Sequence, residues 1–92
     1  MIWTKVKKED LGNGEYNIYW RTPPYTRLTI ESRRRMIPHA NGEGGWLRTT
    51  YWVRYPDGLA KEFIMMCRAK EAAEKYLAEK LENGCLYTEV LL

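Results

Sequence analysis

The apolar residues of this chain change their period once, near Ala69, and that single change decides what it can fold into. Before it, short segments rich in Trp, Tyr, Ile, Val and Thr alternate apolar with polar positions and are separated by clusters of Gly, Pro and Asn. This is the pattern of half-buried strands joined by turns, and it predicts strands over roughly residues 2–8, 15–21, 27–37, 46–55 and 59–67. LGNG (residues 11–14), TPPYT (22–26), PHANGEGG (38–45) and PDG (56–58) lie between them. Each carries a residue that tolerates positive φ or a proline that presets φ, as hairpins require. After the change, Ala69, Ala72, Ala73, Tyr76, Leu77 and Leu81 fall on one stripe while Lys70, Glu71, Glu74, Lys75, Glu79 and Glu82 take the other side. That spacing predicts an amphipathic helix over about 69–83, stopped by Asn83-Gly84, with LYTEVLL (86–92) as a further short strand. The expected fold is α+β: an antiparallel sheet of four to five strands with one helix packed on one face.

Ninety-two residues make one domain, 1–92, with no linker or repeat. The apolar run from Phe63 to Met66 falls far short of the roughly 20 residues that span a bilayer, and MIWTKVKKED is not a signal peptide, so a cytoplasmic location and no membrane partner are expected. The net charge of +3 is small but unevenly spread. Residues 1–56 hold ten basic and five acidic side chains, and residues 57–92 hold five basic and seven acidic. An anionic partner surface would suit the first part.

Cys67 and Cys85 bracket the predicted helix, whose ends stand roughly 22 Å apart, so they should not bond to each other. Two cysteines and one histidine, His39, without metal-ligand spacing do not make a metal site. The only serine, Ser32, and His39 lack a third orienting group, and both aspartates, Asp10 and Asp57, sit in turns. Cys67 could gain reactivity at a helix N-terminus, but a small apolar filler of the sheet–helix junction is the preferred reading. NGEGG (41–45) lacks the Lys and Ser or Thr of a phosphate loop. No enzyme and no cofactor are expected.

Splitting residues 46–55 by parity puts Leu47, Thr49, Tyr51, Val53 and Tyr55 on one face, expected as core. Trp46, Arg48, Thr50, Trp52 and Arg54 take the other, and if the preceding strand pairs with this one around PHANGEGG, some of Arg33, Arg34 and Arg35 are expected beside Arg48 or Arg54. Exposed Trp and Arg together make protein-interface hot spots and also stacking platforms for single-stranded nucleic acid. The competing reading is that Trp46 or Trp52 packs against another element and that the arginines blunt an edge strand. Trp3, Trp20 and Tyr76 are assigned to core or rim.

Residues 46–83, with an aromatic strand, the turn Pro56-Asp57-Gly58, the Phe63 strand and the helix AKEAAEKYLAEK, resemble the arm-type DNA-binding domains of phage integrases. LAKEFIMMC, however, has one Lys where that family has a basic run. The helix alone resembles the last helix of double-stranded RNA-binding domains, without their first helix. In size and element order the whole chain resembles small phage accessory proteins of the anti-CRISPR or anti-defence type. That resemblance implies a stoichiometric inhibitor that occludes a surface of a host protein or nucleoprotein complex, with Arg33, Arg34, Arg35, Trp46, Arg48, Trp52 and Arg54 as the contact patch. A nucleic-acid-binding domain using the same face is the alternative. Protein is the preferred partner because the net charge is modest and the helix's polar face reads as acidic.

Overall fold

The computed structural model describes residues 1–82, which form β1 (Thr4–Gly12), β2 (Glu15–Thr22), β3 (Tyr25–Pro38), β4 (Gly45–Arg54), β5 (Ala60–Phe63) and α1 (Met66–Glu82). The strands make one antiparallel meander in the order β1-β2-β3-β4-β5. With α1 against it, this is the expected α+β architecture. The strand expected over 86–92, Cys85 and the Asn83-Gly84 stop lie outside the described residues.

Turn chemistry sets the registers. Asn13 and Gly14 take φ of 54° and 82°, the double positive-φ turn whose twist matches that of the flanking strands. Because Gly12 still pairs with Glu15, β1 runs on to Gly12 rather than ending near residue 8. In the β4–β5 hairpin, Tyr55 donates its N–H to the Leu59 carbonyl at 2.9 Å, and Gly58, at φ 93°, donates to the Tyr55 carbonyl at 3.1 Å. Asp57 Oδ1 accepts the Leu59 N–H at 2.9 Å.

Two further boundaries, at the strand–helix junction, differ from the sequence reading. β5 stops at Phe63, paired with Tyr51, rather than running to residue 67, and α1 begins at Met66 rather than 69. The Ala69 N–H bonds the Met65 carbonyl at 3.2 Å, which draws Met66, Cys67 and Arg68 into the first turn. An unbroken apolar run such as Phe63–Met66 has no period, so it marks neither the strand's end nor the helix's start. In consequence Cys67 is exposed on the first helical turn and does not fill the junction.

The core is the meeting of three strand residues, Leu28, Ile30 and Val53, with three helix residues, Ala69, Ala73 and Leu77, all fully buried. Two alanines let the helix axis approach the sheet, and Leu77 fills the space their small side chains leave. Trp3, Trp20, Tyr51, Tyr55, Phe63 and Tyr76 pack around this centre, which places Trp3, Trp20 and Tyr76 as expected. The Trp20 indole N–H donates to Ser32 Oγ at 3.0 Å, so the buried hydroxyl has a partner.

A 17-residue helix is about 25 Å long, whereas the 14 residues of β3 extend about 46 Å. The molecule is accordingly elongated, with extents of 53 × 22 × 21 Å. The helix reaches only the Leu28–Ser32 half of the sheet. Leu47 and Thr49, expected as core with Val53, are half-buried beyond that cover.

Replacing Leu77 by Ala removes the helix's deepest contact and is expected to cost about 2–4 kcal/mol in urea unfolding. Leu59→Ala, at an exposed hairpin position, is expected to stay within about 0.5 kcal/mol of the parent.

Candidate functional site

The unshifted register between β3 and β4, from Thr29 opposite Arg54 to Pro38 opposite Gly45, decides which side chains share a face. Leu28 and Ile30 point to the helix, so Glu31, Arg33, Arg35 and Ile37 point away from it. Opposite them lie Trp52, Thr50, Arg48 and Trp46. Six of the seven expected patch residues, Arg33, Arg35, Trp46, Arg48, Trp52 and Arg54, therefore stand together on the face that α1 leaves open.

Arg34 does not join them. Three consecutive strand residues cannot share a face, and Arg34, opposite Thr49 and Tyr16, lies on the helix side with its guanidinium 5.7 Å from the Tyr16 ring centroid.

The open face is organised by a residue the sequence reading passed over. Glu31 is 3% exposed although α1 lies on the other face. Arg33 Nε donates to its Oε1 at 2.9 Å and Arg54 donates to its Oε2 at 2.8 Å. The Arg33 guanidinium also sits 5.0 Å from the Trp52 ring centroid, a cation–π contact that flattens the arginine over the indole. Burial is the largest influence on the Glu31 carboxyl and pushes its pKa up, but the hydrogen bonds and charges of Arg33 and Arg54 together outweigh it and hold the pKa below the ordinary value of 4.5. The signal was in the sequence: Glu31 and Arg33 are two apart, hence on one face of one strand.

The remaining cations differ in role. Arg35 is spent on structure, donating to the Tyr16 and Arg34 carbonyls at 2.9 Å each and to Asn17 Oδ1 at 2.6 Å. Arg48 is exposed and makes no ion pair with the described residues. Trp46 is 49% exposed, its ring 5.3 Å from that of His39 in the β3–β4 loop. Arg33, Arg35, Arg48, Thr50, Trp52 and Glu62 line an open hollow of about 270 Å³.

Tyr19, on β2 beside Glu31, has its hydroxyl pKa raised chiefly by hydrogen bonding to Glu9 and then by burial. No group of three or more metal-ligating side chains occurs among the described residues, and no described helix is long and apolar enough to cross a membrane. The helix is not acidic as expected. Arg68, Lys70, Lys75 and Lys80 balance Glu71, Glu74, Glu79 and Glu82.

Comparison with protein-family models, curated proteins and solved structures returns no match. The open face offers an indole under a fixed guanidinium, a second indole open to solvent, and an exposed guanidinium, Arg48, that makes no ion pair with the described residues.

The depressed Glu31 pKa makes its contribution to stability full above the ordinary carboxylate range and lost as pH falls through the folded value. Glu31→Gln is expected to be less stable than the parent at pH 7 by about 1–2 kcal/mol, with Arg33 and Arg54 only partly buried. In urea titrations from pH 7 to pH 2 the gap should close as the acid limb is reached. A constant gap would mean that Glu31 acts through packing alone.

Proposed function

We propose that this chain is a non-enzymatic binding protein, encoded by a phage or other mobile element, that acts as a stoichiometric inhibitor by occluding a surface of a host protein or nucleoprotein complex, in the manner of anti-CRISPR proteins. The observation that carries this reading is the open face itself: Trp52 under Arg33, Trp46 half exposed, and Arg48 without an ion pair among the described residues. Tryptophan and arginine held rigid before contact lose little side-chain freedom on binding, which is why such residues dominate interface hot spots.

A protein surface is preferred over nucleic acid on local charge. Arg21, Arg33, Arg35, Arg48 and Arg54 carry five positive charges, but Glu31 and Glu62 on the same face offset two of them. Arg33 and Arg54 are already engaged, and Arg35 donates to the Tyr16 and Arg34 carbonyls and to Asn17. Few guanidinium donors remain for a phosphate chain, whose affinity grows with the number of phosphates neutralised. An acidic or mixed protein surface needs only Arg48 and two indoles.

The test is affinity capture of the tagged chain from bacterial lysate, with and without nuclease, beside Arg48→Glu and Trp52→Ala variants whose folding is checked by circular dichroism. A defined protein that survives nuclease and is lost with Arg48→Glu is the expected result, with Trp52→Ala weakening it by more than about 2 kcal/mol at little salt dependence. Recovery that vanishes with nuclease, and a salt slope that drops by about one phosphate unit in an Arg48→Ala variant, would put nucleic acid in its place. If Trp52→Ala unfolds the domain, Trp52 is core and the face is not a binding patch.

A further inference from the structure

A sheet of five strands has two edges, and this molecule treats its exposed backbone unequally. β1, at one edge, carries Lys5, Lys7 and Lys8 and breaks its register between Lys5 and Lys7. Charged side chains and a bulge are the devices that keep foreign strands from pairing with an edge. β5, at the other, is only four residues long and carries Lys61 and Glu62.

Because β5 is short, it covers only Tyr51 to Arg54 of β4. Among the described residues, no strand lies beyond the other side of Gly45 to Thr50. Tyr55 sends its N–H toward β5, and backbone polarity alternates along a strand, so Leu47 and Thr49 direct their N–H and C=O groups outward on that same side. This stretch has no bulge, no proline and one charged side chain, Arg48. At its end, where the chain leaves the sheet, Ile64 and Met65 are 70% and 52% exposed.

We propose that this open edge pairs with the same edge of a second copy of the chain, joining two sheets into one of ten strands about a twofold axis normal to the sheet. The inference does not rest on the inhibitor reading. Antiparallel self-pairing must bring outward residues opposite one another, which leaves few registers. Leu47 opposite Thr49 would set Arg48 directly against its copy, a like-charge pair. It would also drive the partner's Gly45 into the place beside Tyr51 that Phe63 already holds. Thr49 opposite Thr49 deepens that collision. Leu47 opposite Leu47 avoids both: Trp46 then meets the partner's Arg48, and Arg48 the partner's Trp46, two cross-strand cation–π pairs on the open face. Leu47 meets its copy on the helix side, and the smallest residue, Gly45, lies opposite Thr49. Arg48, which makes no ion pair with the described residues, and the exposed Trp46 indole on that edge thus complement each other across a twofold axis.

Sedimentation equilibrium of the full chain over a wide concentration range, combined with residue-resolved hydrogen exchange, tests this. The expected result is a mass rising from 10.9 kDa toward twice that value, with the Leu47 and Thr49 amides becoming protected only as the dimer forms, while Arg48 and Thr50 are protected throughout by β3. Trp46→Ala and Arg48→Ala should each weaken dimerisation by about tenfold or more, since each removes both symmetric pairs. Thr49→Pro, which deletes an outward N–H but none shared with β3, should leave a folded monomer. The proposal is overturned by a chain that stays monomeric at the highest concentration, whether those amides exchange fast or are protected by another segment. A dimer indifferent to all three substitutions would overturn it equally.

Discussion

One helix about 25 Å long is asked to cover a sheet whose central strand runs about 46 Å, and most of what distinguishes this molecule follows from that mismatch. The Leu28, Ile30 and Val53 end is a conventional two-layer core. The far half has no second layer among the described residues, so it depends on bonds within the sheet. Tyr16 takes Lys8 and Arg34 against its ring at 5.2 and 5.7 Å, Arg35 ties β3 to β2 through Tyr16 and Asn17, and Glu15 accepts the Met36 N–H at 2.9 Å where backbone pairing between those strands has ended. Each such contact is worth about a kcal/mol or less, but they replace one another's water and hold the hairpins in line.

The same mismatch explains why a carboxylate can be buried on a face that α1 does not cover. Glu31 is roofed by the side chains it attracts, Arg33 and Arg54, and Arg33 is in turn spread over Trp52. Desolvating Glu31 is costly, and two charge-assisted hydrogen bonds offset it. The arrangement also reduces the free charge of the face. An arginine-rich strand read as cationic is, once folded, a rigid and only weakly positive surface, because Arg33 and Arg54 are paired to Glu31 and Arg35 is tied to Tyr16, Arg34 and Asn17.

Much of this was legible in the chain. The change of period at Ala69 and the turn residues gave the strand order and the helix, because both follow from local spacing. Parity within β4 correctly separated Trp46, Arg48, Trp52 and Arg54 from Val53. Parity applied to Arg33, Arg34 and Arg35 would have removed Arg34 from the patch, and the i,i+2 relation of Glu31 to Arg33 would have exposed the ion pair. Other features were beyond sequence reading. Where Phe63–Met66 stops being strand depends on the last pairing partner, Tyr51, and the exposure of Cys67 depends on that boundary. That Leu47 and Thr49 would lie past the helix's reach required knowing which end of the sheet the helix crosses.

The open face and the open edge are not independent, since Trp46 and Arg48 belong to both. The proposed twofold axis is normal to the sheet, so the two open faces lie on the same side and form one continuous surface, with Arg33, Trp52 and Arg54 of each copy flanking a central pair of Trp46–Arg48 contacts. A partner that grips Arg48 must then break those contacts, and self-association competes with its binding. A partner that uses only Arg33, Trp52 and Arg54 leaves the contacts intact and meets two sites at fixed spacing, so dimerisation strengthens its hold. Linkage requires the effect to be mutual: whichever class the partner belongs to, it shifts the monomer–dimer equilibrium in the direction that dimerisation shifts its affinity. The sign of that shift separates the two modes of engagement without a structure of the complex.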